Sequence, residues 1–141
     1  DPVASLLARP GAATAPPKKP PAPDNDDSEF SRLGRTVELY RAWSQLAFDR
    51  SDQYRKLASA NEDRAQLLRE KVNSPERQQL DPQQRDLFNR VDLENALQCL
   101  NDAKDEMAAF DRARKDSSDY SHLAADTRAL LDKEIRRLNG G

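Results

Sequence analysis

The sequence predicts an all-α protein, an elongated antiparallel three-helix bundle that follows a disordered, proline-rich N-terminal arm. Seven of the nine prolines lie within residues 2–23, whereas residues 28–138 contain only Pro75, Pro82 and one glycine. Apolar residues also recur in steps of three and four throughout that second part. A segment with few helix breakers and this spacing favours long helices.

The arm, residues 1–27, is expected to act as a linker. Its Pro- and Ala-rich stretch, residues 15–23, favours polyproline II, and the acidic run that follows, residues 24–27, should stay in water. Two PxxP spacings occur in the stretch, but neither has a basic residue at the offset that a peptide ligand of this kind normally carries. We therefore interpret the arm as a spacer.

The first helix is predicted over about residues 28–73, because Asp26 and Glu29 have the spacing of a capping box. Two adjacent apolar seams follow it, and a face this broad needs two partner helices. One seam contains Phe30, Leu33, Val37, Tyr40, Ala47, Tyr54, Ala58, Ala65, Leu68 and Val72, and the other contains Leu39, Trp43, Leu46, Leu57, Ala60 and Leu67. Ser59 and Glu62 repeat the capping-box spacing. The alternative is therefore a four-helix bundle in which this helix breaks near Ser59.

The second and third helices are predicted over about residues 82–115 and 118–138, within a helical body that ends at residue 139. Pro75 ends the first helix, and Asp81-Pro82 is a typical helix start. The polar stretch 116–119 offers several N-caps, although a single bent helix over both segments is an alternative. The inward residues are predicted to be Leu93, Ala96, Leu100, Ala103, Met107 and Phe110, and then Tyr120, Leu123, Ala124, Thr127, Leu130, Leu131, Ile135 and Leu138.

Small residues occupy the middle of the first seam, and they suit either a close contact between helices or a groove left for a partner. Aromatic side chains that can anchor an interface lie among them. The candidate protein interface contains Tyr40, Trp43, Ser44, Ala47, Ser51 and Tyr54.

No set of residues points to catalysis, a cofactor or a metal, so we expect that the chain is not an enzyme. His122 is the only histidine and Cys99 the only cysteine, and four scattered glycines cannot build a phosphate-binding loop. Cys99 lies between leucines, which favours a small, partly buried apolar role.

The net charge of −2 is spread evenly, so no segment has the excess of Lys and Arg that a nucleic-acid-binding surface needs. No apolar run is long enough for a transmembrane segment. These observations predict a non-catalytic helical protein–protein interaction module, an adaptor or an assembly subunit. Its partner would be another protein, bound by helix–helix packing, or a second copy of the chain. The alternative is a pilot-, chaperone- or effector-type component of a bacterial envelope or secretion system, with which a spacer is compatible.

Overall fold

The computed structural model describes residues 28–140, and all the regular structure in that range is helical. Helix α1 spans Glu29–Lys71, the one-turn helix α2 spans Pro75–Gln78, and helix α3 spans Pro82–Leu138. The all-α prediction is confirmed. The predicted arm, together with Asp26 of the predicted capping box, lies outside the described residues. Within residues 28–140, no helix has the length and apolar composition needed to cross a membrane.

The predicted division into three long helices is wrong, because α3 continues through residues 116–119 without a break. The alternative of one helix over both segments is the observed one. The hydroxyl of Ser117 donates to the carbonyl oxygen of Ser44 on α1 at 2.9 Å, and Lys115 pairs with Asp119 one turn later at 2.8 Å. The polar side chains of residues 116–119 can therefore form hydrogen bonds and ion pairs while the backbone stays helical. Helix α1 likewise continues through Ser59, so the four-helix alternative is not observed.

The ends of the helices follow from local capping. The backbone N–H of Ser31 donates to the hydroxyl of Ser28 at 3.1 Å at the start of α1. The carboxylate of Asp81 accepts the backbone N–H groups of the second and third residues of α3 at 2.9 and 3.2 Å. Between the helices, Asn73 takes a left-handed φ of 59°, which asparagine tolerates well. The predicted helix end before Pro75 and start at Pro82 are confirmed.

Arg77 holds the connection between the long helices onto α3. Its guanidinium donates to Asn89 Oδ1 at 3.1 Å and to Asp92 Oδ2 at 2.8 Å, and it lies 5.5 Å from the centre of the Phe88 ring. The Asn89 side chain in turn bonds Asn73 at 3.1 Å. These contacts fix the turn because the Arg77–Asp92 ion pair is largely shielded from solvent.

The described chain divides into two compact units, and α1 and α3 each contribute a segment to both. The described part of the first, here called the central unit, is residues 52–110. That of the second, here called the terminal unit, is residues 28–51 with 111–140. The contacts show that the two long helices pack antiparallel in each unit. As the residue numbers increase along α1, those of the contacting residues on α3 decrease.

The terminal unit contains an aromatic cluster of Tyr40, Trp43 and Tyr120. The rings of Tyr40 and Tyr120 are stacked with their centres 6.3 Å apart, and Trp43 meets both edge-on, at 6.0 and 5.6 Å. Such pairs add about 0.5–1.5 kcal/mol beyond the burial of their area. Ala124 packs in the same cluster, and the other buried residues of this unit are Val37, Ala47, Ser51, Ala113 and Leu131.

The central unit has a core of small side chains. Ala65 on α1 packs with Ala96 and Cys99 on α3, and Leu68 and Leu100 lie partly buried beside them. Besides these three, its buried residues are Tyr54, Ala58, Ala103, Glu106 and Ala109. Alanine at the contact lets two helix backbones approach closely, although each buries little apolar area.

Candidate functional site

The structure places the six predicted interface residues mainly inside the molecule. Tyr40, Ala47, Ser51 and Tyr54 are buried, whereas Trp43 and Ser44 are half-buried. Five of them belong to the terminal unit, and Tyr54 belongs to the central unit. Of these six residues, only Trp43 and Ser44 are accessible to a partner protein. The assignment of all six to one interface stays a prediction.

The serines of this set form hydrogen bonds between the helices of the terminal unit. The Ser44 hydroxyl donates to the carbonyl oxygen of Ser117 at 2.8 Å, and the Ser117 hydroxyl donates to the carbonyl oxygen of Ser44 at 2.9 Å. Arg114 Nε donates to the Ser51 hydroxyl at 2.8 Å, and its guanidinium covers the Phe48 ring at 4.2 Å. The small residues therefore serve a close helix–helix contact within the chain, which was one of the two interpretations of their pattern.

The indole of Trp43 connects the aromatic cluster to the surface of the terminal unit. Leu39 lies four residues before it and Leu46 three residues after it, so the three side chains follow one side of α1. Leu46 is 48% exposed. On α3, the exposed Leu123 lies one turn after Tyr120, whose ring Trp43 contacts. We call Leu39, Trp43, Leu46 and Leu123 the tryptophan face.

A buried polar layer crosses the core of the central unit, and the sequence pattern did not reveal it. The Asn61 side chain donates a hydrogen bond to Glu106 Oε1, and Glu106 is only 2% exposed. Among the described residues, Glu106 Oε2 and the hydroxyl of the buried Tyr54 have no hydrogen-bond partner. Burial raises the pKa of the Glu106 carboxyl above its ordinary value, and the charges of Asp102 and Asp105 raise it further, although the Asn61 bond acts in the opposite direction.

In the sequence, Asp102, Asp105 and Glu106 have the spacing of one side of a helix, a pattern that predicts a solvated acidic face. The structure shows instead that Glu106 is buried, while Asp105 is exposed and Asp102 is half-buried. The sequence does contain one sign that Glu106 is buried. Glu106 lies three residues after Ala103 and seven after Cys99, so all three residues lie on one side of a helix. Within residues 28–140, no group of three or more His, Cys, Asp or Glu side chains could hold a metal ion.

The only cysteine and the only histidine lie in different surroundings. Cys99 is 7% exposed in the central unit, which confirms its predicted apolar role. His122 is exposed on α3 in the terminal unit.

The division of side chains by size is the main feature of both units. Small residues make most of the helix contact, whereas many large apolar side chains lie on the surface. The exposed ones are Phe30, Leu46, Phe48, Leu123, Leu130 and Leu138 in the terminal unit and Leu67, Leu87, Phe88, Val91, Leu93 and Leu97 in the central unit. Exposed leucines are ordinary one at a time, but side chains grouped along one side of a helix indicate contact with another surface.

The two predicted seams of α1 therefore have different environments. Of the first seam, Val37, Tyr40, Ala47, Tyr54, Ala58 and Ala65 are buried. Every member of the second seam is half-buried or exposed. The sequence predicted two partner helices for α1, and in each unit the structure provides one. The uncovered second seam is thus the best candidate for a functional surface. Comparison of the chain with protein-family models, with curated proteins and with solved structures gave no match.

Proposed function

We propose that this chain is a non-catalytic helical module that binds another protein by helix packing, as an adaptor or as a subunit of a larger assembly. The observation that carries the proposal is the exposure of large apolar side chains beside a core in which alanine is the most frequent residue. A fold that buries mainly small residues and leaves many large apolar side chains exposed has apolar area that a further helix can cover.

The tryptophan face is the proposed binding surface of the terminal unit. It combines a half-buried indole, already held by two tyrosine rings, with leucines on both helices. A preordered aromatic side chain loses little conformational freedom on binding, which is why tryptophan is common at interface anchors. The partner suited to this surface is an amphipathic helix whose apolar side packs against Trp43 and Leu46.

Photo-crosslinking at position 46 tests this proposal. The benzophenone amino acid p-benzoylphenylalanine would replace Leu46 in one variant and Gln45 in a matched control, since both residues are exposed but point to different sides of α1. We expect irradiation in the native cell extract to attach a discrete polypeptide at position 46 and not at position 45. Mass spectrometry of the product identifies it.

The same adducts at both positions, or none at position 46, would contradict the proposed surface. Leu46→Ser provides a second check. Because Leu46 is 48% exposed, this variant should keep its free energy of unfolding within about 0.5 kcal/mol of the wild type. When p-benzoylphenylalanine is placed at position 39 instead, the chain with Leu46→Ser should no longer form the crosslink that the chain with Leu46 forms.

A further inference from the structure

The central unit carries a row of large side chains on α3 that the contact with α1 leaves partly exposed. Leu93, Leu97, Leu100, Lys104 and Met107 follow one another in steps of four, three, four and three residues, which is the spacing of a helix-packing seam. Leu93 is 49% exposed and Leu97 is 60% exposed, and the Leu100 and Met107 side chains are half-buried. We call these five residues the leucine stripe.

The stripe lies beside the contact with α1, and Leu100 packs against the edge of that contact. The residues that α3 buries against α1 in this unit include Ala96, Cys99 and Ala103, which are offset from the stripe by one to three positions. At a rise of 1.5 Å per residue, the stripe extends for about 21 Å along the helix. Helix α3 therefore presents a small-residue seam to α1 and a second, more exposed seam of leucines beside it.

The charges beside the stripe indicate which helix fits. Lys104 interrupts the row of apolar residues, and Glu94 lies next to Leu93 near its other end. Both are exposed, and in the part of the chain that the structure describes neither has an ion-pair partner. A parallel second copy would bring Lys104 against Lys104. An antiparallel second copy would bring each Lys104 beside the Glu94 of the other chain, with Leu97 against Leu100.

We propose that two copies of this chain associate through their leucine stripes in an antiparallel, two-fold symmetric contact. In that arrangement Leu93 faces Lys104 and Leu97 faces Leu100 in both directions, as a two-fold interface requires, whereas Met107 lies beyond these paired positions. The aliphatic part of each Lys104 covers Leu93 of the other copy while its ammonium group reaches Glu94. This inference rests on the proposed role of exposed apolar side chains in binding, and it names a second copy of the chain as the partner for the central unit.

Sedimentation equilibrium of the full chain tests the association. We expect a monomer–dimer equilibrium in the wild type and a dissociation constant about a hundredfold higher in Leu97→Ser, because each dimer loses two buried leucines. Leu67→Ser is the matched control. Leu67 is also 60% exposed in the same unit, but it lies on α1 outside the stripe, so its replacement should leave the constant unchanged. Far-ultraviolet circular dichroism confirms that each variant is folded.

Charge exchange tests the orientation. Lys104→Glu would place like charges together in the antiparallel dimer, and we expect the dissociation constant to rise about fivefold, as is typical of exposed pairs. Combining it with Glu94→Lys restores both pairs and should return the constant to the wild-type value. In a Cys99→Ala background, a mixture of Leu93→Cys and Lys104→Cys chains should form mixed disulfides in preference to disulfides between identical chains.

Three results would overturn the proposal: a wild-type chain that stays monomeric at every concentration, equal effects of Leu97→Ser and Leu67→Ser, or disulfides mainly between identical chains. A monomeric wild type would overturn this inference alone. The crosslink at position 46 reports on the terminal unit, so failure there can be distinguished from failure here.

Discussion

Asn61→Ala is expected to lower the free energy of unfolding by about 3 kcal/mol at neutral pH. The Asn61 amide donates the hydrogen bond that Glu106 receives in the core of the central unit, and the other carboxylate oxygen has no partner among the described residues. Removing the amide leaves the buried carboxylate without its hydrogen-bond donor. The cost is the desolvation of the charge rather than the lost bond by itself.

The loss of stability caused by Asn61→Ala should be smaller in mild acid than at neutral pH. The pKa of Glu106 is raised in the folded chain, so the folded state holds the proton more tightly than the unfolded state does. The free energy of unfolding therefore increases as the pH falls through the folded pKa toward the ordinary glutamate value, and the gain is lost again as the pH rises. In Asn61→Ala the interaction that lowers this pKa is gone, so the pH dependence should become steeper than in the wild type.

Urea unfolding at pH 7 and at pH 5 measures both effects. Asn101→Ala is the control, because Asn101 is exposed on α3 in the same unit and the change removes the same group. Equal losses in the two variants, or a loss in Asn61→Ala that does not depend on pH, would contradict a role for the buried pair. The double variant Asn61→Leu with Glu106→Leu should recover most of the lost stability, since apolar replacements of a buried charged layer are often tolerated.

Ala65→Leu should have a comparable effect, a loss of about 3 kcal/mol, because it forces a large side chain into the close contact of the central unit. Ala65 is 1% exposed and packs against Ala96 and Cys99 on α3. Adding three carbons there separates the helices or strains their rotamers, and overpacking of this kind costs about 1–3 kcal/mol and sometimes more. Helix propensity contributes little, since leucine is nearly as good a helix former as alanine.

Ala60→Leu is the matched control for this prediction. Ala60 lies five residues earlier on the same helix and is exposed, so leucine at this position should change the free energy of unfolding by no more than about 0.5 kcal/mol. Thermal and urea unfolding, followed by circular dichroism, measure the difference. If Ala65→Leu is as well tolerated as Ala60→Leu, the small-residue contact is not the tight core that the structure describes.

The sequence allowed much of α1 to be predicted, because a buried side of a long helix repeats in steps of three and four. Val37, Ala47, Ala58 and Ala65 were all expected in its first seam and are buried. The second seam was recognised as well, but periodicity does not indicate whether a partner helix belongs to the same chain. The exposure of Leu46 and Leu67 therefore had to come from the structure.

The buried side of α3 was only partly predicted, because large side chains were taken as the inward ones. Leu93 and Met107 were expected in the seam, yet Cys99 and Glu106 are more buried than either. Where α1 contributes alanine and serine to the contact, the two backbones are close, and only small residues of α3 fit between them. Hydrophobicity alone does not show which residues of α3 these are. The buried Glu106 accepts a hydrogen bond from Asn61 on α1, and the sequence pattern does not reveal such a pair.

The most direct test of the division between core and binding surface is the free energy of unfolding of the Leu46→Ser, Leu97→Ser double variant. It should be measured by urea titration at a concentration low enough to keep the chain monomeric. If these leucines serve contacts with other chains, the value should stay within about 1 kcal/mol of the wild type, as expected for two exposed positions. A loss of about 4 kcal/mol or more, typical of core leucines, would contradict the account.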